Sequence, residues 1–460
     1  MEFSIKFIKK NKFFYFFSII YVSFTFLLLF NLIKHYSILS PKQNLFYLGL
    51  LAFQLIFFNI FFKRNRYLLR LIYIYIFLSI YLFEGYSTFY LNVERYNFDA
   101  SLKNKVKIYK SNKNLEYDTR SKFEAFKQEK KIFPGIVLST YGDLEDKKNF
   151  NKIMPLAGIS NSKTLFCNEN GYYAFYESDR FGFNNPDKAW DNDIFELIIV
   201  GDSFAHGHCV FEKDNFSGNL KRLYNQSNIL NLGYNANGPL KELATIKEYS
   251  QHKRIEKLLW LYYEGNDLQD LENEVKNPIL EQYLTTKIFT QNLKENQINI
   301  DKVLREKILA EEENFYKNEI DKKIIKFKSF LKLNITRNVL INKFKIYRDS
   351  QKIENLSNLE KVLIEAKEYS NKNNIEFIFI YLPEYRRYDN NLKTENHRNY
   401  NQVIELLNHL NIKNIDLVKE IETEKISPAD LFPFKIISHV HYSELGYQIL
   451  SEVIFKRLKN

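Results

Sequence analysis

Apolar and polar positions divide the 460-residue chain into two parts. The first ninety-odd residues are mostly apolar. They hold three stretches near the ~20 residues needed to cross a bilayer: Phe13–Ile33, Asn44–Phe62 and about Tyr67–Leu91, the middle one being the shortest. From Asn92 onward the pattern is that of an ordinary soluble protein. Asn92–Lys131 is polar and reads as a linker with some helix. Phe133–Trp190 shows short β-like runs broken by turn residues, such as Phe133-Pro134-Gly135 and Asn170-Gly171. Its last run, Tyr176–Asn185, either lines a cleft or forms an edge hairpin. From Ile194 strand-length apolar runs alternate with helical spacing. Strands are expected at Glu196–Val200, Ile229–Leu232, Lys257–Tyr263, Ile375–Leu382 and Asn414–Leu417. Helices are expected at Asn215–Tyr224, Lys241–Gln251, Leu359–Ser370, Tyr400–Leu410 and Ser443–Leu458.

That alternation predicts an α/β fold with a doubly wound parallel sheet. Residues 273–358 interrupt it with Lys, Glu, Asn and Ile at helical spacing, one proline and no glycine. They read as an inserted helical cap that shapes a groove or packs on a partner. The expected organisation is a transmembrane region over 1–92 (helices at about 13–33, 44–62 and 67–91), a linker with a small β-rich segment over 93–190, and an α/β domain over 191–460.

The formal charge of +11 and the pI of about 9.1 raise the question of nucleic acid. Lysines are interspersed with Glu and Asn through the soluble part, and no basic-aromatic recognition motif occurs, so no nucleic-acid partner is expected. Positive charge instead orients the apolar segments. Lys6, Lys9, Lys10 and Lys12 precede the first, and Lys63, Arg64, Arg66 and Arg70 surround the link between the second and third, against only Lys34 and Lys42 in the first link. The amino terminus and the Lys63–Arg66 turn are therefore expected in the cytoplasm. Three spans put everything after Asn92 outside; two spans would leave it inside. Only Cys167 and Cys209 occur, both in the expected external part, where an oxidising compartment permits a disulfide. The alternative is two buried free thiols.

The most informative stretch is Leu197–Gly207, LIIVGDSFAHG. Four apolar residues suit a strand buried on both faces, Gly201 permits a sharp turn, and Ser203 follows at the carboxyl end, where open α/β sheets place their active sites. A helix starting there would turn its amides toward a developing negative charge. Asn231–Pro239 (NLGYNANGP) follows a second apolar run, Glu264-Gly265-Asn266-Asp267 a third, and His441 with Gly446 lies in HVHYSELGYQIL before the final helix. In these four ordered blocks the chain resembles the SGNH/GDSL hydrolase family over roughly residues 195–275 and 375–460.

The resemblance implies a flavodoxin-like three-layer α/β/α domain with Ser203 as nucleophile and His441 as its base. His439 stands close by, but the spacing to Gly446 favours His441. Oxyanion donors implied are the Ser203 amide, the Asn266 side chain and a backbone amide at Ala236 or Gly238. Asp202, Gly233 and Asp267 would support the turns. The family's acid, three residues before the histidine, is absent: Ser438 stands there. This leaves a Ser-His dyad oriented by a backbone carbonyl, or a carboxylate from elsewhere such as Asp430 or Glu264. His206, His208 and Cys209 could ligate a metal, but a structural zinc site wants four ligands and no second cluster supplies the fourth, so no metal and no cofactor are expected.

The resulting expectation is a multi-pass protein of the inner or plasma membrane with an extracytoplasmic catalytic domain. It would cleave or transfer an acyl ester through an acyl-serine, with a cell-envelope carbohydrate as one candidate substrate and the lipid bilayer as a partner; the oligomeric state is undefined by sequence. The alternatives are a glycan-binding or assembly module that kept the fold without turnover, supported by Ser438, and a membrane receptor whose helical insertion binds a partner.

Overall fold

The computed structural model describes residues 14–26, 28–30, 46–52, 54, 67–91, 102–111, 116–140, 153–225, 227–315, 319–343, 352–388, 399–437 and 440–459. The chain forms two units, one comprising residues 1–102 with 317–348, the other 103–316 with 349–460. The expected helical insertion is thus divided between them.

In the first unit, Leu68–Tyr90 is the one helix among the described residues that is long and apolar enough to cross a membrane, with a mean hydropathy of 1.6. Phe14–Phe30 is apolar but shorter. Of the expected middle span only 46–52 and 54 are described, as helix. The rest of that span and the expected Lys63–Arg66 turn lie outside the described residues. Phe17, Tyr21, Tyr73 and Ile74 form an aromatic-rich core, and Gln54 donates to the Tyr73 hydroxyl at 2.7 Å. Two helices from the insertion, Glu319–Leu331 and Asn334–Lys343, belong to this unit.

The second unit is built on five parallel strands. They are β1 (Ile194–Gly201), β2 (Ile229–Asn231), β3 (Arg254–Tyr263), β4 (Glu376–Leu382) and β5 (Lys413–Asp416), in the spatial order β2-β1-β3-β4-β5. Alternate side chains enter two separate cores, which is why the strands read as unbroken apolar runs. Ile198 and Val200 of β1, Trp260 and Tyr262 of β3, and Phe379 and Tyr381 of β4 pack with the helices Pro239–Tyr249, Lys352–Lys372 and Tyr400–His409. Leu197, Ile199, Leu259, Leu261, Ile378 and Ile380 pack on the other face with Phe216–Leu223, Leu417–Thr423 and Glu444–Lys459. The result is three layers. The strand order reverses between β1 and β3, a topological switch point whose carboxyl side is the usual ligand crevice.

β3 begins three residues before its expected start because Ile194 and Arg254 pair at the foot of the ladder. A small sheet precedes the core: Val137–Leu138 pairs in parallel with Lys163–Leu165, which pairs antiparallel with Phe175–Glu177. The Tyr176–Asn185 run pins the core from behind. Asp179 accepts from the amides of Phe181 and Phe183 and from Asn185 and Trp190, and Asn185 exchanges two hydrogen bonds with the Asn231 backbone at 2.8 and 2.9 Å.

Candidate active site

The end of β1 is shaped by a close approach that only glycine tolerates. Gly201 has φ +152°, and a Cβ there would lie 2.7 Å from both the Ala205 Cβ and the Leu261 carbonyl oxygen. The chain turns, and Asp202 caps the short helix Ser203–His206 by accepting from the Phe204 amide at 2.8 Å. Behind that helix, Gly233 packs so tightly that a Cβ would sit 2.5 Å from the Ala205 Cβ. Asp202 is buried, and burial pushes its carboxyl up to about 6 despite the Phe204 amide bond. Its place is in the turn; Ser203 faces the opening.

The Ser203 hydroxyl lies 2.8 Å from His441 Nε2 and 3.3 Å from the Asp202 carboxylate. His441 arrives on the loop before the Glu444–Lys459 helix, 238 residues downstream. Its Nδ1 lies 3.1 Å from both carboxylate oxygens of Glu169, and its backbone amide donates to Glu169 Oε2 at 2.7 Å. A carboxylate facing Nδ1 holds the proton there and leaves the Nε2 lone pair to accept from the serine. Burial works to lower the His441 pKa, but the Glu169 charge and hydrogen bond outweigh it, so the value is raised. Burial likewise opposes ionisation of Glu169, and the His441 charge and hydrogen bonds prevail, so its pKa is lowered. Each group therefore favours the charged form of the other.

Glu169 is not among the carboxylates the sequence nominated. Asp430 instead pairs with Lys435 at 2.7 Å. Glu264 is buried, accepting from Tyr381, the Glu384 amide and Arg387. Ser438 and His439 lie outside the described residues. A signal for Glu169 was present: it stands two residues after Cys167, and Cys209 stands six after Ser203. The two cysteines form a disulfide, and Asn170 adds a hydrogen bond to the Cys209 carbonyl at 3.1 Å. The Glu169 segment is therefore fastened to the loop that follows the serine.

Ser203, His441, Glu169 and Asn266 line one cleft of about 460 Å³, together with Phe204, His208, Tyr263, Gln269, Glu384 and Arg386. Gly233, Ala236, Gly238, Asp202 and Asp267 do not line it. As the first residue of its helix, Ser203 has an amide without an intrahelical acceptor. Asn266 directs one amide proton to Asp270 at 2.5 Å, which leaves a second. Ala236 adopts φ +57°, a left-handed conformation that glycine supplies more readily. The Gly238 amide is taken by Glu274 at 2.6 Å, so it is not free for an oxyanion. Asp267 accepts from the Tyr263 amide at 2.7 Å and closes the turn after β3.

His206 and His208 both direct Nδ1 to Asn235 Oδ1, at 3.0 and 2.8 Å. Burial pushes His206 down to about 3 and His208 well below its usual range, so both stay neutral. With Cys209 in the disulfide, its sulfur is not a thiolate ligand.

No protein-family model matches this chain, and no curated protein matches it. Among solved structures it is similar to a protein described as lipolytic and of the G-D-S-L family, from Desulfitobacterium hafniense DCB-2. The TM-score is 0.28 at 12% identity, over 58% of this chain and 99% of that one. The chemistry of the site rests on its own atoms.

Proposed function

We propose that the protein is a membrane-anchored serine acyl hydrolase or acyltransferase that works through an acyl-serine intermediate. The observation that carries this reading is the continuous line from Glu169 through His441 to Ser203 at the mouth of an open cleft. His441 Nε2 takes the hydroxyl proton as Ser203 Oγ bonds to the ester carbonyl carbon. The Ser203 amide and the Asn266 side chain face the oxygen that gains negative charge, donors commonly worth about 3–4 kcal/mol each in the barrier. Collapse expels the alcohol, which takes the proton from His441, and leaves the acyl group on Ser203. Water or a second hydroxyl then repeats the sequence in reverse. Glu169 keeps the imidazole in the required tautomer and stabilises its cation.

The polar rim of Asn266, Gln269, Glu384 and Arg386 suits a hydroxyl-rich alcohol such as a carbohydrate. An extracytoplasmic placement is supported by the Cys167–Cys209 bond, which persists in oxidising compartments, and by the basic cluster Lys63, Arg64, Arg66 and Arg70 at the amino end of the Leu68–Tyr90 helix. The non-catalytic alternative drew on the missing acid, and Glu169 supplies a carboxylate in that role.

The test is turnover of small aryl esters and of O-acetylated oligosaccharides by the purified full-length protein. Release of acyl group or its appearance on an acceptor sugar, lost in Ser203→Ala, is the expected result. Wild-type activity in Ser203→Ala would overturn the assignment.

A further inference from the structure

The positive charge of this chain is concentrated. Residues 317–348 carry eight Lys and two Arg against one Asp and one Glu, a net +8 within a chain of +11. With residues 1–102 the first unit carries +15, and the second carries −4. Within the first unit, the helix Glu319–Leu331 exposes two kinds of side chain: the apolar Ile324 and Phe327, 45% and 53% accessible, and the basic Lys323, Lys326 and Lys328. An exposed apolar pair beside a lysine cluster is the composition of a helix lying in a lipid headgroup layer.

The same hairpin is tied to one end of the apolar helices. Phe330 packs on Tyr81 and Phe89, with ring centroids 5.3 and 5.6 Å apart. Glu84, fully buried near the end of the Leu68–Tyr90 helix, accepts from the amides of Ile335 and Thr336 at 2.9 and 2.8 Å and from the Thr336 hydroxyl at 2.7 Å. It thereby neutralises the amino end of the Asn334–Lys343 helix. Tyr47, at the start of the second apolar segment, donates to the Lys332 carbonyl at 2.8 Å and accepts from Arg337 at 3.2 Å. The beginning of one apolar segment and the end of another therefore meet a single hairpin at a single level.

We propose that Glu319–Lys343 is a membrane-surface hairpin that seats Ile324 and Phe327 among anionic phospholipid headgroups where the Leu68–Tyr90 helix leaves the bilayer. This rests on the membrane-anchored reading, and the test separates the two. Because both native cysteines are in a disulfide, a single introduced cysteine is selectively labelled. Full-length Phe327→Cys, Leu82→Cys and Ile288→Cys carry an environment-sensitive fluorophore in phosphatidylglycerol nanodiscs that contain a lipid spin-labelled near its headgroup. The expected result is a blue-shifted, quenched signal at positions 82 and 327 and an unquenched one at 288. Quenching at 327 is expected to fall in phosphatidylcholine nanodiscs and in a Lys323→Glu/Lys326→Glu/Lys328→Glu background. Quenching at 82 without quenching at 327 would overturn the hairpin proposal alone. Absence at both would overturn the membrane reading as well. Equal quenching at 327 in both lipids would overturn the anionic selectivity.

Discussion

Glu169 performs two tasks for His441, holding its ring through Nδ1 and its backbone through the amide. The consequences separate by pH. Because Glu169 raises the His441 pKa above the ordinary 6.5, the acid limb of kcat/KM is expected above that value in the wild type and at lower pH in Glu169→Gln. At the optimum, Glu169→Gln is expected to cost roughly 10²- to 10⁴-fold in kcat/KM. A pH–rate profile of the two proteins checks both, and an unmoved limb with full activity would remove Glu169 from the mechanism. Stability follows the same pair. The histidine's raised pKa contributes stabilisation that is complete below 6.5 and lost as pH rises through the folded value. The lowered Glu169 pKa contributes above the ordinary 4.5 and is lost as pH falls through its folded value. The Tm difference between wild type and Glu169→Gln should therefore be largest between those two pH values. Single residues also show how far a sequence speaks. The two blocks whose Ser203 and His441 come within 2.8 Å were legible because each follows an apolar run or precedes a helix in a fixed local pattern. Glu169 was not, because a loop residue in a turn-rich segment has no periodicity; only the pairing of two cysteines, a long-range fact, carries it to the site.

The elements around Ser203 are held by contact at backbone distance. Gly233 lies against the Ser203–His206 helix, and Gly233→Ala would place a Cβ 2.7 Å from the His206 backbone nitrogen. That substitution is expected to destabilise the fold by about 1–3 kcal/mol, read by denaturant unfolding, and to slow acylation by displacing Ser203. The disulfide closes a sequence separation of 42 residues and is expected to contribute about 4 kcal/mol. Its more specific effect is on the Glu169 loop. Reduction of the native protein should lower kcat and move the acid limb in the direction of Glu169→Gln; an unchanged pH profile after reduction would mean that Asn170 and neighbouring contacts suffice. The strands were readable because both faces are buried and the runs are continuous. The divided insertion was not: 297–315 and 319–331 have similar composition and helical spacing, but one supplies Ile300, Leu304 and Ile308 to the α/β core and the other packs Phe330 on the apolar helix.

For the whole molecule, the uneven charge changes the meaning of the basic pI. Lysines interspersed with acids through the soluble part describe the second unit, which is net acidic, and not residues 317–348. The basic first unit carries the apolar helices and the second unit is mildly acidic, the charge distribution on which the proposed attachment to an anionic membrane rests. In intact cells, Ile288→Cys, 90% exposed, is expected to react with a membrane-impermeant maleimide. Labelling only after lysis would place the second unit in the cytoplasm and contradict the orientation read from Lys63, Arg64, Arg66 and Arg70.

The most direct measurement of the central claim is peptide mapping of the full-length protein after reaction with a fluorophosphonate at neutral pH. One stoichiometric adduct is expected on the peptide containing Ser203, none in Ser203→Ala, and strongly slowed formation in His441→Ala. An adduct at any other serine, or none with the fold intact, would contradict it.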